Sequence, residues 1–348
     1  MTLVSFFLTA IVTLALSYAL CALLTKSDVT DAPDGIRKHQ AAPVSRLGGI
    51  GIALSTLIGG LAWAAWSLIL AGDAAPLAET RWMFTYWTVC VFVGAAFLIG
   101  LLDDLGILGT VPKLLGLLLS ALLVCSFGLF PPELSSPWAS LTLMPVLVIG
   151  SAMWLLVFTN AANFMDGSNG LSIGCLAIKL IGLAVIGAQH GALSLNAWWI
   201  GIVAALGGFL IHNLRGQLYA GDAGALGLGA LFASLALVSG LNVWTVATLA
   251  LPFLIDVLLT LVWRAKHGRN WLEAHLDHAY QRAIASGWSH IEIAVLYWGL
   301  TITAAAMAWI AAQAGGAAPF IVFWALLIAG IGIWITHRRA TKAFDLRR

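Results

Sequence analysis

The sequence predicts an all-α polytopic membrane protein, and its composition, apolar run lengths and charge placement all point to that fold class. Of the 348 residues, 61% are hydrophobic and only 9% are charged, whereas a typical soluble domain has about 25% charged residues. So little charge does not cover a surface that faces water, and we expect most of the surface to face lipid. Runs of about 20 apolar residues recur along the chain, which is the length of a helix that crosses a bilayer.

The apolar runs predict about eleven transmembrane helices, with about ten as the lower count, in one integral-membrane domain over residues 1–348. The first run lacks the basic start of a signal peptide and is long enough to span the membrane, so we expect it to be retained. No internal repeat is evident in the sequence. The predicted helices lie near Thr2–Leu24, Leu47–Leu70, Trp82–Leu102, Pro112–Phe130, Leu141–Phe158, Leu171–Gly187, Asn196–His212, Ala223–Ser239, Val243–Trp263, Ile293–Ala312 and Pro319–Ile335.

The positive charges predict how these helices are oriented. With an odd number of spans, every Lys and Arg except Arg81 and Lys179 falls on the side of the C-terminus. Because cytoplasmic connections carry an excess of Lys and Arg, we predict a bacterial inner-membrane protein with its N-terminus outside and its C-terminus in the cytoplasm. The predicted cytoplasmic loops cover residues 25–46, 103–112, 159–170, 213–222 and 264–292.

The cysteines and the net charge argue against two classes of function. Cys21, Cys90, Cys125 and Cys175 each lie alone within an apolar run and lack the paired spacing of a metal or redox site. The formal net charge is +2, and the most basic segment is a tail that follows an apolar span. We therefore expect no nucleic-acid partner.

Two adjacent acids, Asp103 and Asp104, end the third predicted span. Ionised carboxylates are costly at membrane depth and usually mark a functional site. A pair of them suits the recruitment of Mg²⁺, or one can serve as a base whose pKa the other raises. The alternative is a polar stop at the end of a helix.

The segment NAANFMDGSNGLS, residues 160–172, carries no cation and lies between two apolar spans. Asn160, Asn163 and Asp166 recur at three-residue steps, so the end of a helix would place them roughly on one face. Gly167 and Gly170 permit a tight turn or the close approach of a ligand. The segment therefore predicts a ligand-binding turn, with a helix-capping loop as the alternative.

A further acid, Asp222, lies between Gly221 and Gly224 at the start of an apolar span. A carboxylate at this position can cap the helix. If the chain brings it close to Asp103 and Asp166, the three acids would form an oxygen-rich site for a hard cation.

The first predicted cytoplasmic loop concentrates cations close to the expected level of the lipid headgroups. Its sequence, DAPDGIRKHQAAPVSRLGGIG over residues 31–51, contains Arg37, Lys38, His39 and Arg46. Such a loop can present several cations and N–H donors to a phosphate. The positive-inside bias alone is the alternative explanation of the cations.

The last predicted cytoplasmic loop contains EAHLDHAYQR, residues 273–282. His275, His278 and Arg282 follow i, i+3, i+7 spacing, so a helix would carry two imidazoles and a guanidinium on one face. Zinc is not favoured, because no third protein ligand lies at a usual spacing and HExxH is absent. A phosphate-binding face fits better, since the planar guanidinium matches phosphate oxygens; a solvated amphipathic helix is the alternative.

Taken in this order, the five motifs resemble those of the polyprenyl-phosphate N-acetylhexosamine-1-phosphate transferase superfamily, the MraY- and WecA-like enzymes of glycosyltransferase family 4. The resemblance runs from Asp31 to Arg282, and the HLDHAYQR form of the last loop is most similar to the branch that initiates O-antigen, lipopolysaccharide or other surface-glycan assembly. The family implies a Mg²⁺-dependent transfer, with Mn²⁺ as an alternative ion, of a sugar 1-phosphate from a UDP-N-acetylhexosamine to undecaprenyl phosphate, with release of UMP.

The resemblance also implies a role for each polar residue. Asp222 would be the principal Mg²⁺ ligand. Asp103 would be a second ligand or the group that activates the lipid phosphate, and Asp104 would be an orienting group or a helper of the metal nearby. The further catalytic candidates are Asp166, His275 and His278. The candidate substrate-binding residues are Lys38, His39, Lys113, Asn163, Asn169, Asn213 and Arg282.

Two positions depart from the family pattern. Asn169 stands where many members have an acidic residue in a DGxDG motif, which bears on the contact with uracil. The spacing from Asn213 to Asp222 is about one residue shorter than is common in the family, which bears on the role of Asn213.

The sequence leaves two alternative functions and three further properties open. Among enzymes, the chief one is an MraY-type phospho-MurNAc-pentapeptide transferase, which the form of the last loop disfavours. A secondary transporter is disfavoured because the acids cluster at span ends and no repeat is visible. The choice of UDP-sugar, a one-step or a two-step transfer, and a monomer or a homodimer are not fixed by the sequence.

Overall fold

The computed structural model describes residues 3–31, 43–71, 80–190, 197–270, 273 and 275–341. Within these residues the chain is built of helices with two short antiparallel strand pairs, β1 Thr30–Asp31 with β2 Val44–Ser45 and β3 Leu134–Ser135 with β4 Ser140–Leu141. The helices are α1 Leu3–Leu24, α2 Gly48–Ala71, α3 Thr80–Asp104, α4 Thr110–Ser126, α5 Met144–Phe164, α6 Leu171–Gln189, α7 Ala197–Asn213, α8 Gly221–Val238, α9 Val243–Lys266, α10 Ala279–Ala285, α11 His290–Ala314 and α12 Ala318–Ala340.

The predicted all-α fold class is confirmed, and among the described residues 8 helices are long and apolar enough to cross a membrane. They are α1, α3, α5, α6, α8, α9, α11 and α12. Three shorter apolar helices occupy Gly48–Ala62, Thr110–Ser126 and Trp199–Asn213, where three more spans were predicted. The count of about eleven spans and the orientation of the termini stay predictions.

Helix α8 forms the centre of the bundle. Of its apolar window, 72% is buried within the protein, compared with 6% for the peripheral α12. Helices in lipid associate through close packing of small residues rather than through a hydrophobic driving force, and α8 is rich in Gly and Ala. At Gly100 of α3, an added β-carbon would collide with the backbone of Asp222. The last turn of α3 therefore lies directly against the first turn of α8.

Several helices, α5 among them, end later than the apolar runs predict. Helix α5 continues through Phe164, although the third cytoplasmic loop was expected to begin at residue 159. The Asn160 side chain donates to the Leu156 carbonyl one turn earlier, at 2.8 Å, so a polar residue here is satisfied within the helix and does not end it. The apolar pattern therefore places the helix boundary too early.

Helices α3, α5, α7 and α9 finish at the same end of the bundle at which α4, α6 and α8 begin. We call this end the acidic end, because Asp103, Asp104, Asp166 and Asp222 all lie there. Tyr280 of α10 donates to the Phe164 carbonyl at 2.9 Å, so the loop between α9 and α11 also lies against it. The loops of the five sequence motifs converge at the acidic end, apart from the segment 32–42, which lies outside the described residues.

Candidate active site

The carboxylates of Asp103 and Asp222 and the ammonium group of Lys113 form the centre of the acidic end. We call these three groups the acidic centre. Lys113 of α4 donates from Nζ to Asp103 Oδ2 at 2.8 Å and to Asp222 Oδ2 at 2.5 Å. The three side chains are 14%, 19% and 16% exposed, respectively, so solvent reaches them while the bundle shields them on the other sides. The fold thus joins acids that are 119 positions apart in the chain, and it holds a cation between them.

The end of α5 contributes the next polar groups. Asn163 Nδ2 donates to Asp222 Oδ2 at 3.2 Å. Asp166 lies in the turn after α5 and is half-buried. Burial and the nearby negative charges of Asp222 and Asp104 raise the pKa of Asp166 well above its ordinary value. Asp166 can therefore retain a proton at a pH at which an isolated aspartate is ionised.

The second acid of the pair, Asp104, has a different environment from Asp103. Its side chain is 0% exposed and accepts from the backbone N–H groups of Asp222 and Ala223, both at 3.0 Å. Arg46 Nε lies 3.4 Å from Asp104 Oδ1. This carboxylate is thus engaged by the amino end of α8 and by Arg46, and it does not face the Lys113 side chain.

Asn213 joins the turn after α5 to the turn before α8. Its Oδ1 accepts from Gly170 N at 2.6 Å and its Nδ2 donates to the Leu218 carbonyl at 2.9 Å. Both ends of the amide are used by the backbone, and the side chain is buried. Asn169 is next to this junction, since a β-carbon at Gly216 would lie 3.3 Å from its Nδ2. Asn213 thus fixes the turn that contains Asn169 to the segment before α8, through its hydrogen bonds to Gly170 and Leu218.

Two residues of α11 that the sequence motifs did not single out also hold this turn. Ser168 Oγ lies 2.9 Å from His290 Nδ1, and Trp298 Nε1 donates to the Gly170 carbonyl at 2.9 Å. The sequence motifs do not include His290. Its position at the start of an apolar span was the one available signal, and that signal does not specify a partner.

The predicted helix face of His275, His278 and Arg282 is wrong, because α10 begins only at Ala279. His278 is 2% exposed, and its Nδ1 lies 3.7 Å from Asp256 Oδ1. The half-buried His275 ring lies beside it, with the ring centroids 4.9 Å apart. Of the two imidazoles, His275 is the one that solvent reaches.

Arg282 is not directed toward the acidic centre. It is fully buried, and its guanidinium donates to Thr341 Oγ1 at 3.0 Å and to the Thr341 carbonyl at 2.7 Å. These contacts fasten α10 to the end of α12. The expectation that Arg282 holds a diphosphate therefore requires a rearrangement of the Thr341 contacts, and the structure favours a structural role.

Asp256, an acid outside the five sequence motifs, organises the same segment. It lies within α9, is 2% exposed and accepts from Ala279 N at 2.7 Å, Tyr280 N at 3.3 Å and the Tyr297 hydroxyl at 2.7 Å. A carboxylate that accepts from the first N–H groups of a helix stabilises that helix end. Asp256 thus caps the amino end of α10, together with the capping box of His278 and Gln281.

Two candidate substrate-binding residues, Lys38 and His39, lie outside the described residues. The strand pair β1–β2 brackets the loop that contains them. Arg46 follows β2 immediately and contacts Asp104 as described above.

The donor set at the acidic centre fits a hard divalent cation. Asp103 and Asp222 offer carboxylate oxygens, and such ligands suit Mg²⁺. Among the described residues, no group of three His, Cys, Asp or Glu side chains meets the geometry of a complete protein metal site. Mg²⁺ commonly takes one or two carboxylates and completes its shell with water and phosphate oxygens, so a partial set of ligands is compatible with it.

A multi-pass helical bundle with carboxylates and a cation gathered at one end defines a class: an integral-membrane protein with a polar site at the membrane surface. The family model described as glycosyl transferase family 4 matches residues 84–240, a range that contains Asp103, Lys113, Asn163 and Asp222 and ends before Asp256.

Individual relatives extend the match beyond that range. The phospho-N-acetylmuramoyl-pentapeptide-transferase of a Synechococcus strain is 28% identical over 79% of this chain and 82% of its own length. The probable undecaprenyl-phosphate N-acetylglucosaminyl 1-phosphate transferase of Bacillus subtilis is 25% identical over 84% of this chain and 80% of its own. The phospho-N-acetylmuramoyl-pentapeptide-transferase of Lactobacillus gasseri is 26% identical over 77% and 84%.

These matches confirm the resemblance found in the motifs. The family match and these relatives fit the polyprenyl-phosphate N-acetylhexosamine-1-phosphate transferase superfamily. Together with the apolar helices, they support a multi-pass bacterial membrane protein of the transferase class.

Proposed function

We propose that the protein transfers an N-acetylhexosamine 1-phosphate from a UDP-sugar to undecaprenyl phosphate, at the cytoplasmic face of the bacterial inner membrane, as the initiating step of surface-polysaccharide assembly. The products are the undecaprenyl-diphosphate sugar and UMP. The observation that carries the proposal is the meeting of Asp103, Lys113, Asn163 and Asp222 at the acidic end. These residues come from four separate helices.

The two substrates place matching demands on such a site. The acceptor is a lipid whose phosphate lies at the membrane surface, so the site must open toward the bilayer. The donor is a water-soluble anion, so the site must also open toward solvent. Because two anions repel each other, the site must supply positive charge where they meet.

Lys113 supplies part of that positive charge. Its ammonium group already lies between two carboxylates, half-buried, and a phosphate oxygen that approaches it would replace one carboxylate as its partner. A bound Mg²⁺ would supply the rest, as a Lewis acid that neutralises diphosphate oxygens. Asp222 and Asp103 are the residues that would hold it, with the Asn163 amide donating to Asp222.

The reaction forms a bond between an oxygen of the lipid phosphate and the sugar-bearing phosphorus of the donor, and it breaks the bond from that phosphorus to the oxygen that leaves with UMP. A phosphate monoester has a second pKa near 6, so the acceptor is largely dianionic at neutral pH. The demand for a base is therefore weak. Asp103 would orient the acceptor through Lys113, and Asp166 would line the nucleotide and metal region of the site.

The test is a reconstituted assay. Purified full-length protein is incubated with undecaprenyl phosphate, Mg²⁺ and each of several UDP-N-acetylhexosamines, and UMP is measured by chromatography. We expect UMP release with at least one donor and none when undecaprenyl phosphate is omitted. Absence of UMP with every donor, in a sample that is shown to be folded, would contradict the proposal.

A second candidate is the phospho-MurNAc-pentapeptide transferase of peptidoglycan synthesis, because several relatives are transferases of this kind. Adding UDP-MurNAc-pentapeptide to the same donor panel separates the two. Faster UMP release with this donor than with any simple UDP-N-acetylhexosamine would replace the surface-glycan proposal by the peptidoglycan one.

A further inference from the structure

The Asp104 carboxylate is bound by protein groups on its own side of the site and is not placed to contact a substrate. Its two carboxylate oxygens each accept one backbone N–H from the amino end of α8, from Asp222 and Ala223, at 3.0 Å. Arg46 provides the compensating cation at 3.4 Å. Asp104 therefore holds the backbone of Asp222. The side-chain carboxylate of the same residue accepts from Lys113 and Asn163.

The backbone on either side of Arg46 is joined to the same segment. Tyr219 N donates to the Ser45 carbonyl at 2.9 Å, Gly48 N donates to the Tyr219 carbonyl at 2.9 Å, and Gly49 N donates to the Ala220 carbonyl at 2.8 Å. The stem of the first loop and the chain that enters α8 therefore form one hydrogen-bonded unit.

Gly221 permits this arrangement. Its φ is +69°, in the region that favours glycine, and an added β-carbon would collide with the Arg46 carbonyl oxygen and with the Asp104 carboxylate. Arg46, Asp104 and the first turn of α8 are thus in direct contact around a position that has no room for a side chain.

We infer that Arg46 and Asp104 are positioning residues of the transfer reaction, which act through the amino end of α8 to hold the Asp222 carboxylate in its metal-binding orientation. The inference rests on the proposed function, because it assigns Asp222 to the metal. A buried carboxylate without its cation is strongly unfavourable, so loss of Arg46 is expected to displace Asp104 and, with it, the two N–H groups that orient Asp222.

This assignment separates the two adjacent acids by role. Asp103 faces Lys113 and the solvent-accessible centre, whereas Asp104 faces the backbone. Loss of Arg46 or Asp104 is expected to lower metal affinity and activity even when neither residue contacts a substrate. In metal sites, partners that orient a ligand typically contribute about 10- to 100-fold in metal affinity or activity.

The experiment measures metal binding without turnover. Mn²⁺ is titrated into the purified full-length protein, with no substrate present, and free Mn²⁺ is followed by electron paramagnetic resonance. We expect Asp104→Asn and Arg46→Ala to bind Mn²⁺ about 10- to 100-fold more weakly than the unmodified protein. Arg46→Lys keeps the cation and is expected to lose less than Arg46→Ala. The matched control is Asp28→Asn, which removes an exposed carboxylate and is expected to leave the affinity unchanged.

Thermal unfolding is recorded for each variant, and the activation of UMP release by Mg²⁺ is measured in parallel. A higher Mg²⁺ concentration for half-maximal activity, with kcat largely restored at saturation, is the result expected of positioning residues. If Asp104→Asn does not fold, Arg46→Ala and Arg46→Lys carry the test.

Mn²⁺ affinities of both Asp104→Asn and Arg46→Ala equal to that of the unmodified protein would overturn the inference, as would failure of the unmodified protein to bind Mn²⁺. The proposed function can fail separately. If Asp222→Asn and Asp104→Asn both weaken Mn²⁺ binding but no donor yields UMP, the positioning inference stands as a statement about the metal site and the transferase proposal does not.

Discussion

At the scale of single residues, the acidic centre has one more negative charge than positive. Asp103 and Asp222 share the single ammonium group of Lys113, and Asp104 is balanced by Arg46. Two like charges held this close repel each other strongly in a partly buried site. A divalent cation that replaced the ammonium group would neutralise the two carboxylates, and Lys113 would then be free to bind a phosphate oxygen.

The substitution Asp222→Asn tests this charge arrangement. It removes the charge at nearly constant volume and keeps an oxygen that can accept from Asn163 and Lys113. We expect UMP release to fall by at least about 100-fold, while the thermal unfolding midpoint changes little, since the side chain is not deeply buried. The assay is the UMP measurement, with Asp28→Asn as the control. Near-normal turnover by Asp222→Asn would remove this residue from the metal site.

At the scale of elements, α10 depends on a side chain from another helix. Asp256 accepts the Ala279 and Tyr280 N–H groups, and removing one partner of a buried hydrogen bond costs about 1–3 kcal/mol. In Asp256→Ala we expect the amides of residues 279–285 to exchange with deuterium roughly 10- to 100-fold faster. The control is Thr260→Val, which removes a neighbouring hydroxyl at 3.3 Å and leaves the carboxylate intact. Equal exchange in the two variants would show that Asp256 does not anchor α10.

The loop before α10 contains a second buried ion pair, between Asp277 and Arg264. Burial alone would raise the pKa of Asp277, but the hydrogen bond and charge of Arg264, with the charges of His275 and Arg269, lower it below its ordinary value. A lowered pKa in the folded state contributes stability above the unfolded pKa, about 4, and that stability is lost as the pH falls through the folded-state pKa.

Because the pKa of Asp277 is lowered in the folded state, the effect of Asp277→Asn on stability should depend on pH. We expect the unmodified protein to have the higher thermal unfolding midpoint at pH 6–8, and the difference to shrink below about pH 4. Unfolding of both proteins in one detergent, followed by tryptophan fluorescence at several pH values, measures it. A difference that stays constant down to pH 3 would mean that the Asp277 carboxylate does not titrate as an ion-paired group.

The sequence predicted the helices and part of the site for physical reasons that also explain the misses. Apolar run length is a local property, so the spans are readable, and acids at span ends are rare enough to stand out. The partner of an acid is a tertiary property. The spacing of His275 and His278 does not reveal that α10 begins only at Ala279. Nor does it reveal that Asp256, in the middle of an apolar run, caps this helix. The sequence around Arg282 predicts a phosphate ligand, but in the fold its guanidinium donates to Thr341 at the end of α12.

At the scale of the whole molecule, the proposed chemistry requires the acidic end to face the cytoplasm, where nucleotide sugars are made. The distribution of Lys and Arg predicts that orientation. It follows that the β3–β4 hairpin, at the other end of the bundle, faces outward. Ala139 in this hairpin and Ser286 after α10 are both exposed, so a cysteine at either position would be open to a reagent on its own side.

The orientation is tested by labelling intact spheroplasts with a membrane-impermeant maleimide. We expect Ala139→Cys to react before lysis and Ser286→Cys to react only after lysis, because the bilayer separates the reagent from the acidic end. The unmodified protein gives the background from its native cysteines, of which Cys90 is exposed and the other three are buried. Labelling of Ser286→Cys in intact spheroplasts, with Ala139→Cys protected, would place the acidic end outside. A site there would have no access to cytoplasmic nucleotide sugars, and the transfer reaction proposed for these residues would have no donor.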